Sequence, residues 1–86
     1  MSNSLKQVGT ITHYFTKINV AVIELEAPLK TGDRVAVKGM TTDFEQTVDS
    51  MQIEHMEVKE AKKGDSIGLK VKDRVRPGDI VYKVVL

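Results

Sequence analysis

Leu29-Lys30-Thr31-Gly32-Asp33-Arg34-Val35-Ala36-Val37-Lys38-Gly39 is the phrase around which the rest of the chain is organised. Two shorter echoes follow, Lys63-Gly64-Asp65-Ser66-Ile67 and Pro77-Gly78-Asp79-Ile80-Val81. Each places a Gly-Asp pair just before residues that favour strands. Glycine enters positive φ without a steric penalty and Asp can bond its own backbone, so the pair makes a tight turn. A β-branched residue comes two positions after the Asp in the first two copies and directly after it in the third, which starts a strand there. Positive φ is therefore expected at Gly32, Gly64 and Gly78. The alternation from Arg34 to Lys38 predicts Val35 and Val37 inward, with Arg34, Ala36 and Lys38 outward. Three strands entered through one kind of corner suggest a small closed, or nearly closed, β-structure.

The first strand is expected from Gln7 to Phe15, where Gly9 marks a bend or a close backbone approach. Thr16 to Asn19 turns the chain, and Asn19 tolerates the left-handed region. Val20 to Glu26 forms the second strand, which Pro28 ends because it has no N–H for a ladder. Phe44 to His55 reads as one longer strand, and its alternation changes phase between Val48 and Met51, as an extra bulge residue would cause. Glu57 to Lys63 suits a single helical turn closed by Gly64. Ile67 to Val71 and Ile80 to Val85 supply the last strands. Six or seven short strands at this spacing argue for an antiparallel barrel or sandwich. The expected division is a flexible tail over residues 1–6 and one domain over residues 7–86.

A chain of 86 residues is just large enough to fold alone on a modest core. The sequence has no cysteine, which removes disulfides, thiolate nucleophiles and thiolate metal ligands and fits a cytoplasmic protein. No apolar signal region follows Met1, and the longest apolar run, Val20 to Ile23, falls far short of a membrane span. A net charge of +1 gives no global attraction to nucleic acid or membrane, so an electrostatic partner must be sought in local patches.

Five stretches, taken in order, carry a family resemblance. They are Val8-Gly9-Thr10-Ile11, Leu29 to Val35, Val48 to His55, Glu60 to Gly68, and Arg76-Pro77-Gly78-Asp79-Ile80-Val81. Together they resemble the second domain of the translation GTPases, such as the elongation factors that deliver aminoacyl-tRNA. The resemblance implies a small antiparallel Greek-key β-barrel and a translation-associated role. A similar barrel also looks to be appended to some bacterial and archaeal peptidase-like proteins, so the fold does not fix the role. No Gly-x-x-x-x-Gly-Lys-Ser/Thr phosphate loop occurs, and neither GTP binding nor GTP hydrolysis is expected.

Candidate chemistry is sparse. A metal site built on His13 and His55 would need carboxylates such as Glu54 or Glu57, at no recognisable ligand spacing, so no metal or cofactor is expected. Glu24 and Glu26 share a strand face and formally offer an acid–base pair, although exposed strand carboxylates are ordinarily just solvated. With neither a Gly-x-Ser-x-Gly elbow nor a Cys nucleophile, no catalytic residue is assigned and the chain is not expected to be an enzyme.

Two constellations suit binding. His13-Tyr14-Phe15-Thr16-Lys17 joins three rings to a cation, able to stack on bases or pack on a partner. The plain alternative is that Tyr14 or Phe15 fills the barrel mouth. Lys70-Val71-Lys72-Asp73-Arg74-Val75-Arg76 places four cations at every second residue, on one side of an extended chain, where they would suit a phosphate backbone. Its plain alternative is a solvated face with Val71 and Val75 inward. The candidate RNA- or partner-binding residues are thus His13, Tyr14, Lys17, Lys70, Lys72, Arg74 and Arg76. Two functions compete. The leading reading is a stand-alone, non-catalytic, translation-associated barrel that binds RNA or a ribonucleoprotein. The other is a protein-interaction module that docks on a separately encoded enzyme such as a peptidase-like protein, which the near-neutral charge favours.

Overall fold

The three Gly-Asp pairs fold into one and the same corner. In the computed structural model of the chain, which describes residues 4–85, φ is 93° at Gly32, 93° at Gly64 and 97° at Gly78. Each glycine is the third residue of a four-residue turn, the position where a type II turn requires positive φ. The fourth residue, Asp33, Asp65 or Asp79, donates its N–H to the carbonyl of the first, Lys30, Lys62 or Arg76, at 3.2, 3.0 and 3.0 Å. The Asp carboxylate then accepts the N–H of that first residue, at 3.0, 2.8 and 2.9 Å. Each corner also clasps one buried apolar residue of a neighbouring segment. The glycine N–H donates to the carbonyl, and the Asp carbonyl accepts the N–H, of Val48, Leu25 and Ile11 respectively.

A Cβ added at Gly32 would meet nothing within 4 Å, so substitution there perturbs the backbone alone. Gly32→Ala is expected to destabilise the domain by about 1 kcal/mol. Urea denaturation checks this, and an unchanged midpoint would show that the corner carries no conformational demand.

The strands are β1 (Ser4–Phe15), β2 (Val20–Leu25), β3 (Leu29–Lys30), β4 (Arg34–Lys38), β5 (Asp43–Thr47), β6 (Met51–Ile53), β7 (Met56–Val58), β8 (Glu60–Ala61), β9 (Ser66–Lys70) and β10 (Ile80–Val85). Eight of them form one antiparallel sheet in the order β5-β4-β10-β1-β2-β9-β6-β7, and β3 pairs with β8 in a small separate ribbon. Strands adjacent in sequence pair as hairpins, β1 with β2, β4 with β5 and β6 with β7, while β9 lies between β2 and β6 and β10 between β4 and β1. The Gln46 side chain bridges the seam between β5 and the end of β9. Its Nε2 donates to the Lys70 carbonyl and its Oε1 accepts the Lys72 N–H, both at 2.9 Å, so an amide side chain stands in for a missing ladder step. The enclosed core is aliphatic, with Ile11, Ile23, Val35, Val37, Met51, Ile67, Leu69 and Val81 essentially inaccessible.

The all-β antiparallel barrel agrees with the sequence, and several details correct it. Ser4, Leu5 and Lys6, expected in the tail, pair with Val85, Val84 and Lys83 as the start of β1. The rest of that tail, residues 1–3, and the last residue of the expected domain, 86, lie outside the described residues. Phe44 to His55 is not one bulged strand. It breaks after Thr47, and β6 and β7 make a new hairpin. The bulges lie instead in β1, between Gln7 and Gly9 against β10 and between Ile11 and His13 against β2. The helical turn expected over Glu57 to Lys63 is replaced by β7 and β8, because pairing of Val58 with Met51 and Ala61 with Leu29 outweighs local helix propensity. Ala36 is buried despite its outward parity, since its cross-strand neighbours Tyr82 and Glu45 cover so small a side chain. Counting the short segments gives ten strands rather than six or seven.

Candidate binding end

The turn between β1 and β2 forms one end of the barrel. Asn19 adopts φ 56°, and the Ile18 N–H reaches the Phe15 carbonyl at 3.3 Å. The Tyr14 hydroxyl donates to Asn19 Oδ1 at 3.0 Å, which pins the half-buried ring across the turn. His13 packs edge-on against Phe15, with ring centroids 4.4 Å apart. Phe15 stays 46% exposed and Ile18 58%.

The basic segment runs past the same turn. β9 ends at Lys70, and the Val71 N–H donates to the Asn19 carbonyl at 2.9 Å. Val71 and Val75 are buried, as the plain reading of this segment required. Regular strand geometry does not extend to Arg76, so the four cations form no continuous ridge. Lys70 and Lys72 line a groove with Gln46, Thr47, Asp49 and Ser50, whereas Arg74 and Arg76 line another with His13, Tyr14, Thr16 and Pro77. Lys17 lies beside the hairpin tip with Phe15 and Ile18. The structure thus brings Arg74, Arg76, His13 and Tyr14 together and sets Lys70 and Lys72 to one side.

A close approach that the sequence did not signal lies beside the third corner. Gly39 lies against Asp79, next to the third corner, and leaves the neighbouring Met40 fully exposed.

The ion pairs among the described residues are Arg34–Glu45 at 3.3 Å, Lys38–Asp43 at 2.9 Å and Lys83–Asp33 at 3.4 Å. Hydrogen bonding to Asp43 and its charge hold the Lys38 ammonium above its ordinary pKa. None of Lys17, Lys70, Lys72, Arg74 and Arg76 takes part in these pairs. His55 and Glu54 sit elsewhere, in the two-residue turn between β6 and β7, at φ 67° and 50°. Glu26 accepts a hydrogen bond from Gln7 at 2.7 Å, and Glu24 is exposed on β2. Among the described residues, no group of three or more His, Cys, Asp or Glu side chains converges as a metal site would. No helix there is long and apolar enough to cross a membrane.

No family model matches the sequence. The chain is 44% identical over 77 residues to an uncharacterized protease of Methanocaldococcus jannaschii, a match covering 88% of this chain and 19% of the protease. It is 37% identical over 78 residues to a collagenase of Porphyromonas gingivalis, covering 88% of this chain and 22% of the collagenase. The chain thus spans about a fifth of the length of the curated relatives it matches. In fold it matches the C-terminal domain of a Geobacillus thermoleovorans protein named as a U32 peptidase, with TM-score 0.85, 21% identity and 91% of each chain covered. The selenomethionine form of that domain gives TM-score 0.84 at 20% identity, covering 88% of this chain and 96% of that one.

These relatives overturn the resemblance to the translation GTPases, and with it the elongation-factor-like and RNA-binding readings. The sequence similarity runs to a protease and a collagenase instead. The physical reason lies in the motif itself. A Gly-Asp corner is what this barrel's turns require, so it marks the fold in whatever family uses it.

Proposed function

We propose that this chain is a non-catalytic β-barrel module that docks on a U32-peptidase-like region and acts with it. The observation that carries the proposal is the 44% identity extending over 88% of this chain but only 19% of a protease. The shared segment is the barrel, and the bulk of such a protein lies outside it. The collagenase match has the same proportions, and the matching solved domain is a C-terminal unit of about this size. Peptide-bond hydrolysis then belongs to the other region, and the barrel contributes binding surface.

Titration calorimetry tests this reading. The probe is the peptidase-like region from the protein's own organism, meaning the region that the relatives carry outside the aligned segment. Saturable 1:1 binding with Kd on the order of 10 μM or tighter is the expected result. No heat of binding at about 100 μM would sink the proposal, as would cleavage of gelatin or casein by the barrel alone.

A further inference from the structure

We infer that the end of the barrel carrying the β1–β2 turn is the docking face, and that it fits an acidic protein surface with an apolar pocket at its centre. The inference deepens the docking reading above and rests on it. Phe15 and Ile18 project at this end, where they line a shallow groove with His13, Tyr14 and Lys17. Beside them lie Lys17, Arg74 and Arg76, none of them in an ion pair found among the described residues. The carboxylates within this segment are Asp73 and Asp79, and Asp79 is buried and turned onto the Arg76 N–H.

An apolar centre inside a charged rim is the ordinary anatomy of a protein interface, and exposed arginines beside aromatic rings are its usual anchors. The partner's charge follows from complementarity: three cations in no ion pair among the described residues call for carboxylates opposite. Its class follows from the apolar side chains. Ile18 has no π-face on which a base could stack, and together with Phe15 it offers an apolar surface to a protein pocket. The face is also pre-organised. The Tyr14–Asn19 and Val71–Asn19 bonds tie the hairpin tip to the basic segment, so little ordering remains to be done on binding. Ser4 and Val85, paired at the other end of β1, lie away from it.

The test uses the same calorimetry with the peptidase-like region at about 50 and about 300 mM NaCl, where the screening length differs more than twofold. Phe15→Ser/Ile18→Ser and Arg74→Glu/Arg76→Glu are each expected to raise Kd by about tenfold or more, and the arginine pair should also flatten the salt dependence. Leu5→Ser/Val85→Ser, on exposed apolar residues at the far end, should change Kd less than about twofold. Melting curves confirm that each variant is folded. If the apolar pair unfolds, the exposed arginine pair still decides the outcome. Wild-type binding that survives both end variants unchanged would overturn this face while leaving the docking function standing. Absence of wild-type binding would remove both. Tighter binding to a single-stranded RNA oligonucleotide than to the peptidase-like region would also overturn the inference.

Discussion

Gly39→Ala is expected to lower the unfolding free energy by about 3 kcal/mol, at the upper end for a single added methyl group. The new Cβ would overlap the carboxylate of Asp79. Asp79 is only 6% exposed and its carboxylate accepts the Arg76 N–H at 2.9 Å, so it has nowhere to go without opening the third corner. Displacing it strands a backbone donor and disturbs the clasp on Ile11. A double-mutant cycle separates this cause from a general loss of packing. Asp79→Ala should be destabilising by itself. In that background Gly39→Ala should cost under about 1 kcal/mol, because the obstructing carboxylate is gone. Additive effects would show that the glycine is needed for some other reason.

Gly9→Ala is expected to cost about 2 kcal/mol, again through space rather than backbone preference. Its Cβ would lie 2.7 Å from Ile23 Cγ2 and 2.8 Å from the Glu24 carbonyl oxygen. A backbone oxygen inside a ladder cannot swing aside as a side-chain tip can. The strain should be read as faster amide exchange across the β1–β2 pairing together with a lower urea midpoint. Gly68→Ala makes the control, because its Cβ would come no nearer than 3.4 Å to Val20 Cγ1. That substitution should be neutral or slightly stabilising, by about 0.5 kcal/mol, through reduced freedom of the unfolded chain. Equal losses at both positions would show that the space around the glycine is not what decides.

The corners were legible because their chemistry is local: a glycine that must reach positive φ and an Asp that must turn back are visible in four residues. The tight fit at Gly9 was legible for a similar reason, since a glycine inside a β-branched run needs an explanation. The segment from Glu57 to Ala61 was misread because its letters favour helix, and only Met51 and Leu29, distant in sequence, make it strand. The break after Thr47 escaped for the same cause. Val48 leaves the β5 pairing to be clasped by Gly32 and Asp33, a contact no periodicity reveals. At the binding end, the sequence supplied both groups of residues but not their arrangement. Burial of Val71 and Val75 bends the basic run around the hairpin tip, so two of its four cations reach His13 and Tyr14 while the other two face Gln46. The relatives were the hardest thing to read, because the most conspicuous letters serve a turn and carry no function of their own.

The pairing of Ser4 with Val85 has a mechanical consequence. β1 and β10 run antiparallel, so tension applied through residues 4 and 85 loads the first rung of their ladder alone. The rungs would separate in succession, like a zipper drawn from its open end, rather than resisting together in shear. Peeling would meet its first firm obstacle where Gly78 and Asp79 grip Ile11, beyond the last paired rung of Thr10 with Ile80. Pulled in this direction the barrel is a compliant element that lengthens at low force. Pulled between its hairpin tip and Val85, the same strands would share the load and hold.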